Sequence, residues 1–249
     1  MRAVLAMPAV AVQFLTIVPV RLPRVIPEGA FPGAVALFPV IGLAIGVVVA
    51  GVDALLGQVL PVTVTSGVDL LLLAVLTGGL HLDGLADAAD GLLGNLPRER
   101  RLAVMREGGV GAFGAAALVF ALLLEYGGLV SLGPVIRPAA LVVAVALSRW
   151  TMSLLLWAFP YARAEGAGSA FRSGLRLRHP LVATLFAVII AAAVFSAAAA
   201  LLLVISGGVG LLVGFYALRR LGGCTGDVYG AAGELAFAAT LVTITGLAR

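Results

Sequence analysis

The strongest constraint on this chain is a series of apolar runs, each close to the ~20 residues needed to cross the hydrocarbon core of a bilayer. They fall near residues 35–57, 66–82, 110–130, 138–159, 180–206 and 228–247, with a shorter one near 207–218. The runs do not alternate in polarity as the strands of a barrel must, so helices have to satisfy the backbone. Only 11% of the 249 residues are charged and 62% are apolar, a balance with which a water-soluble globule could not cover its surface. The expected fold is all-α, a polytopic transmembrane bundle of about 6–8 membrane helices. No connection is long enough to hold a soluble domain, so residues 1–249 read as a single integral-membrane domain.

All sixteen basic residues are arginine, which rules out a Walker A loop and a Schiff-base lysine. One cysteine, Cys224, excludes an internal disulfide, and no Cys/His cluster has zinc spacing. The net charge of +4 is read as a topology signal and as contact with headgroups or phosphates, with no nucleic acid expected. Arg21 and Arg24, Arg98 to Arg106, Arg163 to Arg178, and Arg219 with Arg220 share one set of connections. The alternate connections, near 58–65, 131–137 and 206–208, hold only Arg137. The positive-inside rule places the first set in the cytoplasm, and with it every motif described next. Residues 3–20, broken by Pro8 and Pro19, read as an interfacial or re-entrant segment, with a further crossing as the alternative. The Ala-, Val- and Leu-rich stretch 181–204 reads as a lipid-facing or packing helix.

The densest chemistry is His81-Leu82-Asp83-Gly84-Leu85-Ala86-Asp87-Ala88-Ala89-Asp90-Gly91. On a helix, Asp83, Asp87 and Asp90 fall within an arc of roughly 60°, with Leu85, Ala89 and Leu92 behind them. Like charges at this spacing repel, and each is costly to desolvate near a membrane. A divalent cation between the carboxylates would offset both, and hard oxygen ligands describe Mg²⁺. The competing reading is a solvated acidic helix end. His81 projects away from the stripe and is as consistent with packing or capping as with catalysis.

A second motif, Gly222-Gly223-Cys224-Thr225-Gly226-Asp227, follows Arg219 and Arg220, and Glu234 lies seven residues on, along the same helix face. Its backbone N–H groups could converge on an anion, or its glycines could serve a close-packed turn. Arg106-Glu107-Gly108-Gly109-Val110-Gly111-Ala112-Phe113-Gly114 repeats the theme more weakly, as does Arg163 with Gly166–Gly168. Arg149 falls near the middle of its span, where an arginine must line a functional cavity or pair with a carboxylate on a neighbouring helix.

These residues resemble the cobalamin synthase family over nearly the whole chain. The acidic segment 81–91 looks like the family signature. Phe14-Leu15-Thr16 with Pro19-Val20, Phe38-Pro39 with Gly42 and Gly46, and Arg98-Glu99-Arg100 with Met105-Arg106 and Gly111 to Gly114 are similar to its other motifs. So is Gly222-Gly223 with Thr225-Gly226-Asp227, Gly230-Ala231 and Glu234. The chain departs from the family pattern at Ile17, Glu107 and Phe237.

The resemblance implies a Mg²⁺-dependent transferase of the bacterial inner membrane, multi-pass, with its site facing the cytoplasm, late in cobalamin biosynthesis. Its substrates would be adenosylcobinamide-GDP and α-ribazole or α-ribazole 5′-phosphate. The products would be adenosylcobalamin, or its 5′-phosphate, and GMP. On that reading Asp83, Asp87, Asp90, Asp227 and Glu234 are the metal-site candidates, and Asp90 and Asp87 the candidates for the base. Arg106, Arg149 or Arg219 would clamp phosphate, with Gly222, Gly223, Thr225 and Gly226 as the anion cradle. Partners would be these substrates and the lipid bilayer, with a homo-oligomer or other pathway enzymes left open. The alternatives are a phosphotransferase of the CDP-alcohol type, whose Ala-Arg pair is absent at Ala88-Ala89, and an ion-coupled transporter.

Overall fold

In the computed structural model, which describes residues 2–163 and 166–248, the apolar runs form helices. In chain order they are α1 (Arg2–Leu15), α2 (Ala30–Val35), α3 (Phe38–Leu56), α4 (Val62–Leu76), α5 (Leu80–Leu93), α6 (Arg98–Val104) and α7 (Ala112–Ser131). Then follow α8 (Arg137–Ala158), α9 (Ala167–Arg172), α10 (Arg178–Phe195), α11 (Ala199–Leu221) and α12 (Gly226–Leu247). Among the described residues there is no strand, only an isolated bridge between Tyr161 and Cys224. The all-α polytopic expectation holds: five stretches are long and apolar enough to cross a membrane, six if α4 and α5 count as one broken span.

Two boundaries differ from the sequence reading. The expected span 66–82 breaks at 77–79, because Gly78 and Gly79 both adopt left-handed backbone (φ 62° and 69°), a conformation that costs a residue with a Cβ. The chain bends there by 87°, so α5 does not continue α4. The expected run 180–206 breaks at Ser196 (φ 41°), and 207–218 is part of α11 rather than a separate segment. The 44 residues from Arg178 to Leu221 double back as a hairpin. Thr184 on α10 accepts a hydrogen bond from Trp150 Nε1 at 3.0 Å, while Gly207 on α11 lies against the same indole. In a straight helix those residues would be roughly 34 Å apart. The turn near 206–208 therefore moves to 196–198.

Helix α8 is the central pillar, with 83% of its apolar segment buried against 22% for the α10–α11 stretch. Its composition of Ala, Ser and Thr permits close approach and supplies hydrogen bonds between helices, which is what holds helices together in lipid. A Cβ on Gly42 or Gly46 of α3 would meet the α8 backbone at 2.8 and 2.7 Å. Ser148 donates to Gly233 O of α12 at 2.8 Å, and Ser153 to Val35 O at 2.9 Å. Helix α1 is too short to cross at about 21 Å and packs on the arginine-rich end. There Phe14 lies near Phe38 and Phe171, and Ile17 N–H donates to Leu76 O.

At the other end Arg137, expected in a connection, is buried. It holds Asp53 and Asp69 at 2.7 and 2.6 Å and donates to Ser66 and to Leu129 O. The charge is internally paired, as an arginine at this depth must be.

Candidate active site

The site lies at the arginine-rich end, where α5 crosses α12. Gly84 sets the separation: a Cβ there would meet Asp227 O at 2.9 Å and the Cα atoms of Asp227 and Gly230 at 3.3 Å. Because both helices lack side chains at the crossing, Asp83 and Asp87 on either side of Gly84 come within electrostatic range of Asp227. Asp83 is exposed, and Asp87 and Asp227 are half-buried.

A cation braces this cluster. Arg163 Nη2 donates to Asp227 Oδ2 at 2.8 Å, and its charge also reaches Asp87. Thr225 Oγ1 donates to the same Oδ2 at 3.1 Å, which leaves Oδ1 of Asp227 and the oxygens of Asp83 and Asp87 without hydrogen-bond partners among the described residues. The sequence singled out Arg163 only weakly, because its place beside Asp227 depends on the loop after α8. That loop is tied down by Cys224 N–H donating to Pro160 O and Ala162 N–H to Cys224 O, both 2.8 Å. Burial pushes the Cys224 thiol up to about 12 and raises the Tyr161 phenol above its usual range, so neither ionises readily at neutral pH.

Asp90 has a different task from the one the sequence suggested. Its Oδ2 accepts from Gly111 N–H at 2.7 Å and its Oδ1 from Gly114 N–H at 2.9 Å. It thereby caps α7, where a carboxylate satisfies orphan donors and faces the positive end of the helix dipole. A Cβ on either glycine would collide with this carboxylate, which accounts for Gly111 and Gly114. Both its oxygens are thus committed to backbone donors, unlike those of Asp83 and Asp87.

The anion cradle read from 222–226 is also reassigned. Gly222 (φ 77°) ends α11, with its N–H on Leu218 O. Gly223 packs on the Pro160–Ala162 backbone, and Thr225 Oγ1 caps α12 by accepting from Val228 N–H at 3.3 Å. Gly226 begins α12 with open space around its Cα. Packing and capping thus account for Gly222, Gly223 and Thr225.

Arg219 extends over the Phe215 ring at 4.4 Å, on a face of α11 away from the carboxylates. Arg106 is exposed, with no side-chain hydrogen bond among the described residues. Other arginines close helix ends: Arg101 on Gly91 O and Leu92 O of α5, Arg98 on Leu221 O of α11, Arg172 on Leu156 O of α8 and on Phe159 O just past its end. Cations at helix C-termini are stabilising.

Glu234 and Arg149 leave the acidic cluster altogether. Glu234 lies two turns, about 10 Å, along α12 from Asp227. With Arg149 of α8, Glu125 of α7 and His81 of α5 it lines an internal chamber of about 20 Å³, room for a single water. Both nitrogens of His81, both carboxylate oxygens of Glu125 and Nε of Arg149 have no protein partner. Arg149 thus lines a cavity rather than closing an ion pair: among the described residues no carboxylate lies within 4 Å of its guanidinium. It faces Glu234 and Glu125, the latter unmarked in the sequence because it sits in an apolar run, across the chamber.

Among the described residues no three Asp, Glu, His or Cys side chains enclose an ion by themselves. The free oxygens of Asp83, Asp87 and Asp227 nevertheless suit Mg²⁺, which characteristically takes one or two carboxylates and completes its shell with water and substrate phosphate.

A helical bundle carrying a carboxylate cluster and a bracing arginine at one end defines an integral-membrane protein with a charged site at that end of the bundle. A family model described as cobalamin-5-phosphate synthase matches residues 8–245, and the chain belongs to that family. It is 40% identical to an adenosylcobinamide-GDP ribazoletransferase of Pseudomonas paraeruginosa, covering 98% of this chain and 99% of the relative. It is 34% identical to one from Geotalea daltonii over 96% of each chain, and 37% identical to one from Roseiflexus over 94% and 87%. No solved structure matches the chain.

Proposed function

We propose that this chain catalyses the ribazole-transfer step of cobalamin synthesis, joining adenosylcobinamide-GDP to α-ribazole or its 5′-phosphate with release of GMP. Family membership supports the reaction, and the convergence of Asp83, Asp87 and Asp227 at the Gly84 crossing is the observation that carries the site. A hydroxyl oxygen of the ribazole ribose bonds to the phosphorus attached to cobinamide, and the bond from that phosphorus to the GMP oxygen breaks. GMP leaves with the electron pair. The hydroxyl proton passes to an uncommitted oxygen of Asp83 or Asp87, in place of Asp90.

One or two carboxylates of the set Asp83, Asp87 and Asp227 would hold Mg²⁺, with water and substrate phosphate completing its shell; it would supply neutralisation of phosphoryl charge and alignment of the reacting oxygens. Arg163 fixes Asp227 and places a positive charge beside the same oxygens, where charge develops during transfer. Burial of Arg137 leaves the opposite end without an exposed arginine among the described residues. That asymmetry supports a cytoplasmic site in a bacterial inner membrane.

The test is turnover by protein in liposomes, given adenosylcobinamide-GDP and α-ribazole 5′-phosphate with Mg²⁺ present or chelated. A cobalamin species with equimolar GMP is expected only with Mg²⁺. Asp87→Asn abolishes it while the protein inserts and melts normally. Full activity of that variant ends the carboxylate assignment, and no product from folded wild-type protein ends the reaction itself.

A further inference from the structure

The back of α5 borders a cleft of about 430 Å³. Leu85, Ala88 and Leu92 of α5, Phe120 of α7, and Leu212 and Tyr216 of α11 form its walls. It opens on the side of the bundle that packs least: 28% of the apolar segment of α7 and 22% of that of the α10–α11 stretch are buried. Phe120 and Leu212 are 67% and 70% exposed there. An apolar cleft of this kind offers water no hydrogen bonds, and in a bilayer its surroundings are acyl chains.

Tyr216 ends the cleft on the arginine-rich side. Its ring lines the wall, its hydroxyl donates to Leu92 O at 3.4 Å, and it accepts from Arg220 Nη2 at 3.0 Å. The Arg220 guanidinium also lies 5.2 Å from the ring centroid. Arg220 and Arg219 are exposed, and neither has a carboxylate partner among the described residues. They share a face of α11 with Phe215 and Tyr216, whereas Asp83 and Asp87 lie on the opposite face of α5. An apolar slot whose end wall, Tyr216, carries the Arg220 guanidinium, with Arg219 one residue away on α11, matches one molecule in both parts.

We propose that an anionic phospholipid occupies this cleft, one acyl chain against Leu85, Ala88 and Leu92 and its phosphate on Arg220, with Arg219 adding charge. The lipid packs on the back of the helix whose front carries Asp83 and Asp87, so it supports the placement of those carboxylates.

The test compares protein in nanodiscs of phosphatidylcholine with and without phosphatidylglycerol, counting retained lipid by native mass spectrometry after transfer to detergent. Wild-type protein is expected to retain one phosphatidylglycerol in preference to phosphatidylcholine. Arg220→Gln lowers that preference about fivefold, the worth of one arginine near an anionic surface. Ala117→Phe, on the α7 wall of the cleft, removes bound lipid of either headgroup, and Ala117→Leu serves if the larger ring prevents folding. Retention of no lipid by wild-type protein, or an unchanged preference in Arg220→Gln, overturns the proposal. Displacement of the lipid by GMP also overturns it, by assigning Arg220 to the nucleotide. Because lipid is counted without turnover, the result is independent of the reaction proposed above.

Discussion

Asp90 separates two roles that a carboxylate in an acidic motif can play, because a cap and a base lose different things when the charge is removed. In the structure its two oxygens accept from Gly111 and Gly114 N–H at 2.7 and 2.9 Å. Hydrogen bonds to a charged partner are each worth about 1.5–3 kcal/mol when broken with the donor left buried, and an N-cap about 1 kcal/mol in typical hosts. Gly111 is exposed and Gly114 buried, so water rescues one donor but not the other. Asp90→Asn keeps one acceptor oxygen and turns an amide N–H₂ toward the other donor, for an expected loss of about 2 kcal/mol. Asp90→Ala loses both bonds, for about 3 kcal/mol. At roughly 2–4 °C per kcal/mol for a chain of this size, the asparagine variant should melt about 4–8 °C lower and the alanine variant lower still.

Thermal melting in detergent, followed by tryptophan fluorescence, reads the cap, and single-turnover kinetics on the same samples reads the chemistry. A cap predicts that activity of the folded fraction falls far less than in Asp87→Asn. Wild-type melting together with a thousandfold loss of turnover in Asp90→Asn would refute the reasoning and return Asp90 to the chemistry.

Gly84→Val should force α5 from α12, since its Cβ would meet backbone atoms at 2.9 and 3.3 Å. We expect a loss of about 1–3 kcal/mol and, from the misplaced carboxylates, about a hundredfold lower turnover. Gly51→Ala, where nothing lies within 4 Å, should leave both unchanged, and equal effects from the two substitutions would argue against the crossing. Cys224 is fully buried with its thiol pushed up to about 12. At pH 8 only about one molecule in ten thousand carries the thiolate, so maleimide should label the protein in denaturant and not in the folded state. Reactivity rises with pH, as the thiolate is the deprotonated form. Prompt labelling of folded protein at pH 8 would show that the 160–162 and 224 loops open.

Periodicity and charge made much of this molecule legible in the sequence. Long apolar runs leave helices as the only way to satisfy a backbone in lipid, and the arginines sort to one end because crossing is costly for them. The acidic stripe on α5 follows from helical spacing alone, and so does the burial of Leu85 and Leu92 behind it. What the sequence could not supply is which partner each polar group finds. Asp90 and Asp87 look alike on a helical projection, yet one lies against the first turn of α7 and the other faces Asp227. The difference is set by where Gly84 lets α12 approach. Glu234 and Asp227 share a helix face, but two turns of rise carry Glu234 to Arg149, Glu125 and His81. The glycines of 222–226 read equally well as an anion cradle or a tight turn until Pro160 closes on Gly223. Local physics determines helices and ends, since it depends on neighbours in the chain. Ligation, capping and pairing depend on separations of an ångström or two between distant segments, which only the packed bundle decides.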